Sequence, residues 1–281
     1  TRTGLSGYMV DRLERNLPVE PLKALSAFTT AAKGIANDGG DAVSLELENL
    51  GISDVLFQSV TSALKTSHLA KSERGSWEAA GRNIFLNVKG NRIGIKGLQA
   101  LLSCFQHFPN GTGYLSQIAF DRNKLTGCGS EVGDIMLSCS LNLIEVTLSS
   151  CGITDDFFRS VGSRFQRKKQ EKEEEEKQTT VGSAPETAAT VNFPHLKLID
   201  LSDNKMGDRG LLALVNDVLP TTPCLTSLDL HSNRMSSKGA IALFDGLASL
   251  TPRLHSLNLS NNAIGSDSFR DVTAGGGGGG G

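Results

Sequence analysis

Two stretches, His195–Leu219 and Leu225–Leu247, carry the same pattern, and a third copy begins at Leu254. Each opens with L-x-x-L-x-L-x-x-N-x-Φ, where Φ is apolar, and continues into a turn and an apolar helix pattern. Asn204, Asn233 and Asn262 hold equivalent places 29 residues apart. A fixed interval of this size constrains the fold more than any single motif. A unit so short cannot bury its own apolar face, so neighbouring copies must stack into an array.

The pattern has a physical reading at each position. Ile199 and Leu201 alternate with period 2 and point to one face of a short strand, while Leu198, Asp200 and Ser202 point to the other. The amide of Asn204 suits backbone groups that lose their partners as the chain leaves the strand. Met206 returns to the core. Gly207 and Gly210 are expected to permit tight backbone turning. Leu211, Leu212, Leu214, Val215, Val218 and Leu219 then form a stripe at helical spacing. Each unit is therefore predicted to be one strand followed by one helix.

Read upstream, the pattern yields four more units. The first has Leu45 and Leu47 as its inward pair and Leu50 in the Asn place. The next three are keyed on Asn91, Asn123 and Cys151, at intervals of 41, 32 and 28 residues. Cys151 is expected to be a buried structural thiol. The excess before Asn91 is read as a loop insertion near 66–82 that holds Trp77, either a partner anchor or a side chain folded back on the neighbouring helix. The interval from Cys151 to Asn204 is 53 residues, and its surplus falls in 167–192, a charge run followed by small residues. That segment is expected to be largely disordered, with the part up to Lys177 extending the preceding helix through i,i+4 charge pairs. It is either a solvated insertion or an acidic dock for a basic partner. Residues 1–42 read as an N-terminal cap, a degenerate repeat or a separate partner-binding helix. Repeats one to four occupy 43–166 and repeats five to seven 193–273, with a poly-Gly tail at 274–281. The chain lacks an initiator Met and is expected to be part of a longer polypeptide.

These units, with their 28- to 29-residue spacing, resemble leucine-rich repeats of the ribonuclease-inhibitor-like type. The resemblance covers about residues 43–269. It implies an α/β solenoid, or horseshoe, of about seven repeats, with a parallel sheet on the concave side and helices on the convex side. Geometry agrees: strands stack about 4.8 Å apart and helices about 10 Å apart, so the stack bends toward its strands.

The concave face is where function is expected. Between the inward residues lie Glu46, Asn87, Ala119, Thr147, Asp200, Asp229 and Asn258. One step on are Glu48, Lys89, Asp121, Ser149, Ser202, His231 and Ser260, followed by Asn49, Gly90, Arg122, Ser150, Asp203, Ser232 and Asn261. Acids outnumber Lys and Arg six to two in these columns. Glu46, Glu48, Asp121, Arg122, Asp200, Asp203, Asp229 and His231 are therefore the candidate protein-binding residues, for a partner with a basic surface patch. Beside them Arg92, Lys124, Lys205 and Arg234 each follow the key Asn and form a basic ridge.

Other functions find less support. The net charge of −2 provides no global field for nucleic acid or an acidic membrane, and no run of 18 apolar residues could span a bilayer. The 5 cysteines include no C-x-x-C pair, which argues against a disulfide framework or a zinc site and favours a reducing compartment. No phosphate-loop, zinc-helix or EF-hand motif is present, so no cofactor or metal is expected. Ser202, His231 and Ser260, with Asp200 or Asp229 diagonal to the His, imitate a catalytic triad, but an open sheet offers no water-excluding pocket or oxyanion hole. The expected function is thus a non-enzymatic cytoplasmic interaction scaffold. Two alternatives come from resemblance: a GTPase regulator, since the GTPase-activating protein for Ran is similar in repeat type, and a structural subunit of a ciliary, flagellar or other cytoskeletal assembly.

Overall fold

The computed structural model describes residues 42–66, 83–105, 115–179 and 192–265. The segment expected to be an N-terminal cap, degenerate repeat or partner-binding helix, except Ala42, lies outside the described residues, as do most of the insertion containing Trp77, the second half of the charged insertion and the poly-Gly tail.

Strands β1 (Ala42–Glu46), β2 (Asn83–Asn87), β3 (Leu115–Ala119), β4 (Glu145–Thr147), β5 (Leu198–Asp200), β6 (Ser227–Asp229) and β7 (Ser256–Asn258) form one open parallel sheet in chain order. Between them run α1 (Asp54–Thr66), α2 (Ile95–Phe105), α3 (Gly129–Ser138), α4 (Asp155–Thr179), α5 (Asp208–Ala213) and α6 (Ser237–Leu250). The α5 helix continues through a π turn at Leu214–Val218 and a 3-10 turn at Leu219–Thr221. This is the solenoid expected from the period. The inward pairs, among them Leu86 and Val88, Val146 and Leu148, and Ile199 and Leu201, are buried, as are Ile52, Ile93, Leu125, Ile153, Met206 and Met235 two residues after the key position. Each such side chain contributes about 1.5–3 kcal/mol on burial. Together they form one continuous core along the array. The α4 helix extends across the first half of the charged insertion, where Arg167 pairs with Glu171 at 3.1 Å, one turn on.

The buried Asn side chains join one repeat to the next. Asn204 donates from Nδ2 to Leu201 O and Ser202 O in its own repeat and to Leu148 O in the repeat before, and its Oδ1 accepts from Cys151 N and Ile153 N. Asn91 acts likewise toward Leu47, Leu50 and Ile52, and Asn123, Asn233 and Asn262 toward their own predecessors. Cys151 copies the donor half of this arrangement. Its buried thiol donates to Phe120 O and Ser149 O, and its backbone carbonyl accepts from Leu125 N at 3.1 Å.

The glycines following the strands act differently from the expectation of tight turning. Gly207 and Gly210 both lack a positive φ. Their role is to admit the previous repeat's helix: Asp155 Oδ1, at the start of α4, accepts from Gly207 N at 2.7 Å and Gly210 N at 3.0 Å. A Cβ on Gly210 would lie 2.8 Å from that oxygen and 2.9 Å from Asp155 Cα. Asp54 makes the same pair of contacts with Gly94 N and Gly97 N, and Asp208 accepts from Ser236 N at 2.8 Å. The acid at each of these helix starts thus caps the following repeat.

Replacing Gly210 with Ala is expected to lower unfolding stability by about 1–3 kcal/mol through overpacking, although Ala is the better helix former. Gly207→Ala, whose Cβ would meet Asp155 at 3.4 Å, should lose less than about 1 kcal/mol. Urea denaturation of the two variants separates these outcomes, and equal losses would contradict the close-approach account.

Candidate functional site

The register of the sheet brings the first candidate column together. Glu46 pairs with Asn87, Asn87 with Ala119, Ala119 with Thr147, Thr147 with Asp200, Asp200 with Asp229 and Asp229 with Asn258. Neighbouring strands are held this way because their inward residues share one core, so the outward residues fall into line. The second column lies just past the strand ends. Hydrogen bonds such as Leu201 N to Asp229 O and Asp203 N to His231 O extend the ladder through it.

The third column is turn rather than strand. Asn49, Arg122, Ser150, Asp203, Ser232 and Asn261 all have φ between 53° and 57°, and Gly90 has φ 66°. This left-handed conformation is unfavourable for most residues with a side chain. In all of these but Asn261, in the last strand's turn, the N–H of the same residue bonds the next repeat, as Arg122 N does Ser149 O and Ser150 N does Ser202 O. Arg122 and Asp203 therefore stand on the lip of the concave surface.

The candidate charges differ in how far they are engaged. Asp121 is buried and occupied: its carboxylate takes Lys89 Nζ at 2.7 Å, Thr147 Oγ1 at 2.9 Å and Ser149 N at 2.8 Å. It orders the middle of the sheet. Glu46 and Glu48 both accept from Asn87 Nδ2, at 2.6 and 3.2 Å, and Arg122 lies 3.9 Å from Glu48. Asp200 accepts from Ser202 N of its own repeat at 2.9 Å. Asp229 is held by His231 Nδ1 at 2.8 Å, His231 N at 2.9 Å and Asn258 Nδ2 at 3.1 Å, and Asp203 lies 3.7 Å from the other ring nitrogen of His231. The eight residues thus form a Glu46, Glu48 and Arg122 group, a separate Asp121 centre, and an Asp200, Asp203, Asp229 and His231 group.

The last group is electrostatically coupled. The hydrogen bond to Asp229, reinforced by the charges of Asp229, Asp203 and Asp200, holds the His231 imidazolium above its ordinary value. Burial works against the Asp229 carboxylate, but the bonds from His231 and Asn258 outweigh it and hold its pKa below the usual one.

The triad-like residues are committed elsewhere. Ser202 Oγ is buried and donates to Ser149 Oγ at 2.9 Å, and Ser260 Oγ donates to Asn258 Oδ1 of its own repeat. Among the described residues no hydroxyl is hydrogen-bonded to His231. The buried thiols are poor nucleophiles: burial pushes Cys128 up to about 11 and Cys151 up to about 12. No cluster of three or more His, Cys, Asp or Glu among the described residues could hold a metal ion. No described helix is long and apolar enough to cross a membrane.

Two features escaped the sequence reading. The burial of Asp121 left no local signal, because its ligands come from Lys89, just past the end of β2, and from the Thr147–Ser149 segment. The capping acids did leave one: Asp54, Asp155 and Asp208 each stand four residues after a key position, ahead of a repeat with Gly in its first helical turn.

The comparisons agree with the repeat fold. A family model described as "Leucine Rich repeat" matches residues 194–215, 222–244 and 253–268. Those residues are leucine-rich repeats, and the described repeats upstream of them continue the same strand-and-helix solenoid. A comparison with curated proteins found no match. Similar solved structures include a chain of the mouse RP105/MD-1 complex, at 16% identity and TM-score 0.41 over 69% of this chain and 24% of that one. An internalin C2 from Listeria monocytogenes matches at 16% identity and TM-score 0.39 over 85% of both chains. The TLR13–ssRNA13 complex matches at 18% identity and TM-score 0.36 over 86% of this chain and 32% of that one. The chain therefore spans about a quarter of the first of these relatives and a third of the last. None of these likenesses carries a functional inference.

Because the His231 value is raised, its pairing with Asp229 stabilises the fold fully below about 6.5, and the contribution is lost as pH rises through the folded value. For Asp229, whose value is lowered, the contribution is present above 3.8 and is lost as pH falls. An NMR titration of the His231 ring should give a midpoint above 6.5, moving down toward that value in Asp229→Asn. An unchanged midpoint in the variant would show that Asp229 does not hold the proton.

Proposed function

We propose that this chain is a non-enzymatic scaffold that binds another protein through its concave strand face, chiefly at Asp200, Asp203, Asp229 and His231, with Glu46, Glu48 and Arg122 at the other end of the sheet. The observation that carries this reading is the register of β5 and β6, which sets Asp200 directly beside Asp229. Like charges on adjacent strands repel and are destabilising. His231 answers Asp229 and approaches Asp203, while among the described residues Asp200 accepts only a backbone N–H, from Ser202. A lysine or arginine from a partner would relieve that repulsion and meet complementary potential as it approaches. The patch lies on the strands of one hydrogen-bonded sheet, a placement that suits a protein surface better than a small substrate, which favours a concave apolar pocket. The described cysteines are free and four of them are buried, which supports a place in the reducing cytoplasm.

The test compares proteins recovered from a cell lysate by the wild-type chain and by Asp200→Lys/Asp229→Lys, with Asp245→Lys on the exposed outer side of α6 as a control. Recovery of a specific partner should fall about tenfold or more in the concave variant and be unchanged in the control. Equal recovery by all three chains would remove the concave acids from the binding surface.

A further inference from the structure

We propose that the rim where strands turn into helices is a second binding surface, separate from the concave face, and that its ligand is an extended acidic peptide segment. The rim carries Lys205, Arg209, Arg234 and Lys238 on two adjacent repeats; beyond a gap at Gly152, Lys124 and Arg92 hold the equivalent place two and three repeats upstream. All six side chains are exposed, and among the described residues none forms an ion pair or a side-chain hydrogen bond.

The contrast with the acids is what points to a ligand. Asp208 lies between Lys205 and Arg209, yet its carboxylate is occupied by Ser236 N at 2.8 Å and Ser236 Oγ at 2.6 Å. Asp155 is spent on Gly207 and Gly210, and Asp54 on Gly94 and Gly97. The acids along this edge satisfy backbone N–H groups, which leaves the cations without counter-charges. Folding stability gives no reason for their placement. Arg209 and Lys238 sit in the first turns of α5 and α6, the end at which a helix dipole disfavours positive charge.

The row is also preorganised. Lys205 N donates to Ile153 O at 2.8 Å, Arg234 N to Met206 O at 2.9 Å and Arg92 N to Ile52 O at 2.8 Å, so the backbone of each cation is pinned to the repeat before it. The side chains stand free on a fixed backbone, and a ligand that crosses the repeats of Asn204 and Asn233 meets two cations in each.

The chemistry favours peptide over nucleic acid. Among the described residues the one exposed aromatic is Phe244 in the middle of α6, so the rim has no platform on which bases could stack. The neighbouring acids discriminate in the same direction. Asp203 is half-exposed on the lip beside Lys205; it repels a phosphodiester chain but can accept an amide N–H from a peptide whose own carboxylates reach the rim cations.

The test measures fluorescence anisotropy of a labelled peptide of alternating Glu and Ser, with labelled oligothymidylate of equal length as competitor class. The chains compared are wild type, Lys205→Glu/Arg209→Glu/Arg234→Glu/Lys238→Glu, the corresponding set of four Gln substitutions, and Asp200→Lys/Asp229→Lys, each checked for fold by circular dichroism. The wild type should bind the peptide, with charge reversal weakening binding about tenfold or more. The Gln set should weaken it less, and it decides the matter if the reversed chain does not fold. The concave variant should bind the peptide at least as well as wild type, so failure of the concave reading and failure of this one are read separately. No binding by wild type, equal binding by a folded rim variant, or tighter binding of the oligonucleotide than of the peptide would each overturn the proposal.

Discussion

A repeat in this solenoid is completed by the repeat that follows it. The buried amide of Asn204 holds two backbone N–H groups, of Cys151 and Ile153, that belong to a unit about fifty residues earlier, while its own N–H groups span both units. A backbone donor left unpaired in such a place costs about 1–3 kcal/mol. The backbone N–H groups of such a turn therefore find their partners only when a neighbour has stacked. The capping acids add a second clasp on the helical side, from Asp155 forward to Gly207 and Gly210 of the following repeat. Strand alignment follows from these clasps and from the shared apolar core, which is how an array of small units reaches a unique register.

The same stacking arranges charge. It sets Asp200 against Asp229 and places His231 where it can answer one acid and approach another. It buries Asp121 under Lys89 and Thr147. Along the rim it consumes carboxylates as backbone acceptors, leaving Lys205, Arg209, Arg234 and Lys238 unanswered. A chain of net charge −2 thus carries two local fields of opposite sign, one in its hollow and one at its edge.

Most of the architecture was legible in the residues. The interval between Asn204, Asn233 and Asn262, together with period-2 pairs such as Ile199 and Leu201, identified strands, core and stacking, because each position of the pattern answers a local physical need. Cys151 was legible for the same reason, since a thiol can supply the donor half of what Asn supplies. The glycines were misread. A positive φ and a close neighbour both select for Gly, and the sequence does not say which applies; at Gly210 it is the approach of Asp155. The left-handed column was also hidden, because Arg122 and Ser150 are not residues that advertise such a turn. In the candidate site the columns could be written down in advance, but engagement could not: whether Asp121 is free or buried depends on Lys89 and Ser149, from two other repeats.

The central claim is that closure runs backwards along the chain, from the key Asn of one repeat to the turn of the repeat before. Hydrogen exchange of the intact chain carrying Asn204→Ala tests it most directly. Protection at the Cys151 and Ile153 amides should fall by one to two orders of magnitude, while the α6 helix, which lies beyond the Asn233 turn, keeps its protection. Loss of protection confined to the repeat of Asn204 and those after it, with Cys151 and Ile153 unchanged, would contradict the account.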